Sequence, residues 1–180
     1  MKVTVIEPPE PVVTIEEARR QIVDLPSEDE TLVESFIAAA TAWIDGPAGW
    51  LGRCIGRQTI EAVGWFGCER TKLPFPPVVE IISITTEDAN GNESAVDDNG
   101  FRFSRGDLVV SAGLDWVRQP VHRVRYIAGY ETVPEPIKVA ILMLVAHWYR
   151  SRGAVTLGDA PQELPFGVEA LLRPFRVYSF

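Results

Sequence analysis

Residues 134 to 153, "PEPIKVAILMLVAHWYRSRG", constrain this chain more than any other stretch, because they read as one abruptly started and nearly all-apolar helix. Pro134 and Pro136 sit where a first turn needs no N–H donor, and Gly153 sits where a helix end accepts a left-handed residue. Ile137, Ile141, Leu144 and Trp148 form one stripe, with Leu142, Val145 and Tyr149 in a second stripe beside it. An apolar arc that wide is either deeply buried or shared with a neighbouring subunit. The run from Val139 to Ala146 falls far short of the roughly 20 residues that span a bilayer, so a membrane helix is excluded.

A chain of 180 residues, 46% hydrophobic and 23% charged, can bury an ordinary globular core. Its first residues lack the pattern of a secretion signal. The two cysteines, Cys54 and Cys68, make neither a disulfide framework nor a CxxC or His-bearing metal pattern, and are expected to be reduced core or strand residues of a cytosolic product. The charge is unevenly spread. Residues 1–100 carry 7 basic and 18 acidic side chains (net -11), and residues 101–180 carry 10 basic and 7 acidic (net +3). A chain of net charge -8 does not bind nucleic acid by neutralising phosphates, whereas unlike faces of neighbouring copies can meet.

Along the chain, "VIEPPEPVV" is a proline-punctuated extended arm. Thr14 and Glu17 then form a capping box that opens a short helix through about Val23. Ser27 and Glu30 are expected to repeat the device for a helix with Leu32, Phe36, Ala40 and Trp43 on one stripe and Val33, Ile37 and Ile44 beside it. That helix ends at "DGPAGW". From Cys54 to Tyr130 the period changes: "RQTIEAVGWF", "VVEIISITT", "FRFS", "DLVVS" and "VHRVRYIAGY" read as strands, with turns at Asn90-Gly91 and Arg105-Gly106-Asp107. In the last of them Val124, Tyr126 and Ala128 face one way and Arg123 and Arg125 the other; His122, beside Arg123, is expected to be exposed. The fold class is therefore α+β. A helical core, 12–53 and 131–176, contains an N-terminal helix pair, the long helix and a short C-terminal helix, and a small, mostly antiparallel β subdomain, 54–130, is inserted into it as part of one domain, 1–180.

Signatures of catalysis are missing. The sequence has no Walker loop, GxGxxG, GxSxG or HExxH, and the glycines at 46, 49 and 52 follow a helix instead of a strand. His147, inside the apolar helix, is expected to be packed or subunit-contacting. The Arg105-Gly106-Asp107 tripeptide reads as a hairpin turn, and Trp43, Trp50, Trp65, Trp116 and Trp148 as anchors of cores and interfaces. No catalytic, cofactor or metal site is expected, and an enzyme is disfavoured.

The order of "VIEPPEPVVTIEEAR", "DETLVESFIAAATAWIDG", "LGRCIGRQTIE", "LPFPPVVEIISI", "VRYIAGYETVPEPIKVAILMLVAHWYRSRGAV" and "ELPFGVEALLRPFR" resembles the head-tail connector proteins. These are the adaptor or head-completion proteins of long-tailed bacteriophages, prophages and gene transfer agents, and the resemblance covers essentially the whole chain. It implies a structural protein of the virion or transfer particle that forms a ring, dodecameric in the particle, under the portal protein. That ring joins the DNA-filled head to the tail or a tail-completion protein, and DNA passes through it without sequence-specific binding. The implied location is the bacterial cytoplasm during assembly and then the head-tail junction, with no membrane partner and no cofactor. Expected oligomer contacts are Ile141, Leu142, Val145, Trp148 and Tyr149. Expected portal contacts are Phe166, Leu171, Leu172, Arg173, Phe175 and Arg176, in a segment, 163–180, with too many apolar residues for a free tail. Pro165 and Pro174 confine its helix to about two turns, so it must dock on something, and a chain cut after Ala160 is expected still to fold. The alternative from the residues alone is a carbohydrate-binding or adhesive module; a small hydrolase would need a nucleophile beside His122 or His147.

Overall fold

In a computed structural model the described residues are 1–66, 70–104, 106–110, 121–151 and 166–178. Cys68, the Arg105 turn residue, Trp116, Gly153 and Leu164 lie outside them. The chain divides into a strand unit, Met1–Glu10 with Gly56–Glu131, and a helical unit, Pro11–Ile55 with Thr132–Phe180. The α+β class is the one observed.

The strand unit holds β1 (Lys2–Glu7), β2 (Gln58–Gly64), β3 (Arg70–Lys72), β4 (Val78–Glu87), β5 (Glu93–Ala95), β6 (Phe101–Ser104), β7 (Asp107–Val110) and β8 (Val121–Ala128). They form two antiparallel sheets where the sequence suggested one: β1-β2-β8-β4-β5 and β3-β7-β6. The arm is no loose leader, because "KVTVIE" pairs along β2 as the edge strand. Strand alternation sets the core: Val124, Tyr126 and Ala128 of β8 are buried with Ile60 and Ala62 of β2 and Ile84 of β4. The Tyr126 hydroxyl donates to the Pro74 carbonyl at 2.7 Å, which satisfies its one polar atom. Two register shifts in β4 leave Val79 and Ile82 without direct partners on β8, and both stay exposed.

Parity also corrects the reading of His122. Two residues before Val124, it shares the inner face and is completely buried, and its Nδ1 accepts the Phe66 N–H at 3.3 Å. On the opposite face Glu61 receives Arg123 at 3.0 Å and Arg125 at 2.9 Å. The Arg125 hydrogen bond, with that of Arg123, holds the Glu61 carboxyl below the usual carboxylate range. Glu61 therefore contributes stability at neutral pH that is lost as acidification passes through the ordinary Glu range and below it.

The helical unit holds α1 (Ile15–Gln21), α2 (Glu30–Ile44), α3 (Glu135–Ser151) and α4 (Phe166–Leu172). The first capping box forms as expected: the Glu17 N–H donates to Thr14 Oγ1 at 3.2 Å and the Thr14 N–H to Glu17 Oε2 at 2.8 Å. The second does not. Ser27–Asp29 turn as a 3-10 segment after Pro26, which leaves Asp29 as the N-cap of α2 without a capping hydrogen bond from its side chain. Glu30 pairs with Arg19, and Asp29 accepts the Tyr149 hydroxyl at 2.6 Å. Past α2 the chain folds back, with the Ile55 N–H on Asp45 Oδ1 at 2.6 Å. Cys54 is fully buried there; burial, with the Asp45 carboxylate adding, pushes its thiol far above the usual range, so it is an inert core side chain.

Candidate functional site

An assembly site must be sought among side chains that the core leaves outside, so burial decides each expected contact. On α3, Ile137, Ala140, Ile141, Leu144 and Val145 are buried within the helical unit. Ile141 and Val145 therefore have no surface to offer a neighbour, which corrects their place among the expected contacts. The doubly apolar arc has a plain cause, since α3 packs against α1, α2 and α4. Leu142, Trp148 and Tyr149 are half-buried. Trp148 meets Phe36 edge to face at 6.2 Å, and Tyr149 is tied to Asp29. His147, also half-buried, lines a shallow recess with Gln21, Met143, Arg150 and Val168.

The C-terminal segment is similarly divided. Val168 and Leu172 are buried, and Gly167 lies against Met143 of α3. Leu172 is thus part of the unit's own core and cannot reach a portal. Phe166, at 86% exposure, and Arg173, which is exposed and pairs with Glu169 at 3.4 Å, lie at the surface, with Leu171 and Phe175 half-buried. Arg176 is engaged within the unit: its guanidinium lies over the Trp50 ring at 4.1 Å and the Tyr178 ring at 5.0 Å. The Val177 N–H donates to the Leu51 carbonyl at 2.8 Å, fixing the chain there.

Two features escaped the sequence reading. Of the two stripes of α2, the buried one is Val33, Ile37, Ala40 and Ile44, whereas Leu32 and Trp43 face outward. Trp43 stacks on Trp50 at 6.5 Å and 14°. The available signal was the absence of any charge between Glu34 and Asp45, long for a wet helix face. The second is the tryptophans: among the described residues Trp43 and Trp65 are exposed and Trp50 and Trp148 half-buried, so they rim cores and do not fill them. Among the described residues no His, Cys, Asp and Glu side chains gather as metal ligands would, and no helix is long and apolar enough to cross a membrane.

Residues 12–159 match the family model described as head completion protein. No curated protein matches the chain in sequence. Three solved structures are similar over all of this chain and 97% of theirs. One is described as the virion of a native gene transfer agent particle (TM-score 0.76, 21% identity). The second is the neck of an empty gene transfer agent particle computed with C6 symmetry (0.75, 20%), and the third the neck of a native particle computed with C12 symmetry (0.69, 18%). At these identities the likeness is one of fold.

Proposed function

The chain belongs to the head completion protein family, and on that premise we propose that it is a structural head-tail connector that closes into a ring beneath the portal and joins the filled head to the tail. The observation that carries this reading is the family match, which runs through both the helical and the strand units. The fold shared with particle necks of sixfold and twelvefold symmetry supports a ring. Its work is mechanical, without catalysis or cofactor: it holds the head to the tail and leaves a passage for DNA. A net charge of -8 suits that passage, because repulsion of phosphates keeps a duplex from adhering to the wall. Assembly takes place in the host cytoplasm, and the finished protein resides at the head-tail junction. Phe166, exposed on α4, and Arg173, exposed just past its end, are the portal contacts that remain available, with Leu171 and Phe175 beside them. Nothing in the family match favours a carbohydrate-binding module.

Native mass spectrometry at high protein concentration tests the ring. The expected species is a closed assembly of about twelve 20.0 kDa chains, as in the C12 neck. A chain that stays monomeric to millimolar concentration contradicts it.

A further inference from the structure

Helix α2 is packed on one side only. Opposite its buried stripe, Leu32, Ser35, Ala38, Ala39, Ala42 and Trp43 are exposed at spacings of three and four, a second stripe along the same helix. A wet helix face carries lysine, glutamate and glutamine, yet this one has no charge from Ser35 to Ile44. The Ser35 hydroxyl already donates to the Thr31 carbonyl at 2.9 Å, so dry contact would strand no donor there. Small side chains also let a second helix axis approach to about 8 Å. At its C-terminal end the stripe meets a stiff wall, Trp43 on Trp50 with Arg176 held between Trp50 and Tyr178. Pre-ordered aromatic and arginine side chains of this kind carry most of the energy in protein interfaces.

We infer that this α2 stripe is the lateral contact between copies of the chain, and that it receives the free edge of α3, Lys138, Val139 and Leu142, from the next copy. The inference rests on the ring reading, since a ring requires two different patches that fit one another. Within the helical unit α2 and α3 already pack together, each with an outer face left over. The α2 face is small and smooth; the α3 edge is bulky, with Val139 exposed and Leu142 half-buried. Their rims carry charges that can pair across the contact. Glu28 and Glu34 are exposed beside the α2 stripe, and Lys138, beside Val139, pairs with the exposed Glu135 at 3.6 Å, a surface contact that a carboxylate of the next copy can replace. Docking α2 of one copy on α3 of the next repeats one helix-on-helix contact around the ring and sets its direction by charge. From Ser35 to Ala42 the α2 face offers a glycan or nucleic acid no charged side chain.

The full-length chain tests this by native mass spectrometry and thermal melting. Ala39→Arg, at an exposed position, should leave the melting temperature unchanged and reduce the wild-type assembly to monomers. Glu34→Lys and Lys138→Glu should each lose assembly, and the double exchange should regain it. A ring that persists in Ala39→Arg removes the α2 stripe from the interface while the ring reading stands. Loss in Ala39→Arg without recovery in the double exchange overturns the α3 edge as its occupant. A wild-type chain that never assembles overturns the ring reading, and this inference with it.

Discussion

A chain cut after Ala160 should lose the fold of its helical unit, the reverse of what the sequence led us to expect. The cut removes Val168 and Leu172, both fully buried, and uncovers the side of α3 on which they sit. It also removes Val177, whose N–H meets the Leu51 carbonyl, and Arg176, which covers Trp50. Deleting one buried Leu side chain costs about 2 to 5 kcal/mol, so removing two buried anchors and their helix approaches the whole stability of a domain, about 5 to 15 kcal/mol. Far-ultraviolet circular dichroism should show a loss of helix beyond the residues removed, with the remaining melting transition displaced far downward. A truncated chain that keeps the full-length melting temperature would show that α4 is an appendage.

Gly129→Ala should be the most damaging small substitution in the strand unit. Gly129 follows β8 with φ +122°, a conformation that side chains rarely adopt, and its N–H donates to the Pro77 carbonyl at 2.9 Å. A Cβ there would stand 2.1 Å from the Gly56 carbonyl oxygen and 2.5 Å from its carbon, both backbone atoms that cannot swing aside. Positive φ alone costs about 1 to 2 kcal/mol, and the clash raises the loss to about 3 to 5 kcal/mol. Urea unfolding of Gly129→Ala against Gly91→Ala provides the control, because Gly91 has positive φ but open space around it. Equal midpoints for the two variants would refute the steric argument.

The parts of this molecule legible in the sequence were those fixed by local rules. Thr14 and Glu17 lie three apart before an apolar run, and the box they form depends on nothing distant. Val124, Tyr126 and Ala128 alternate, and β8 buries them. His122 obeys the same alternation; it was misplaced by attention to its charged neighbour, although its parity was plain. Other choices were not local. Leu32, Phe36 and Trp43 and the set Val33, Ile37 and Ile44 are equally apolar and equally helical in spacing, and only the position of α3 selects the second set for the core. Likewise Ile141 and Val145 cannot be told from interface residues until the elements packed around α3 are known. Ser27 and Glu30 have the spacing of a capping box, but Arg19 of α1 engages Glu30 and Ser27 lies in a 3-10 turn ahead of α2. The outer stripe of α2 was visible as a missing charge, yet a missing charge does not say what the face meets.

The central claim is that this chain completes the head so that a tail can join. The most direct test is electron microscopy of particles from producer cells that lack only this chain. The expected result is DNA-filled heads and separate tails, with joined particles restored when the purified wild-type chain is added to the lysate. Joined particles at the normal level in its absence would contradict the account.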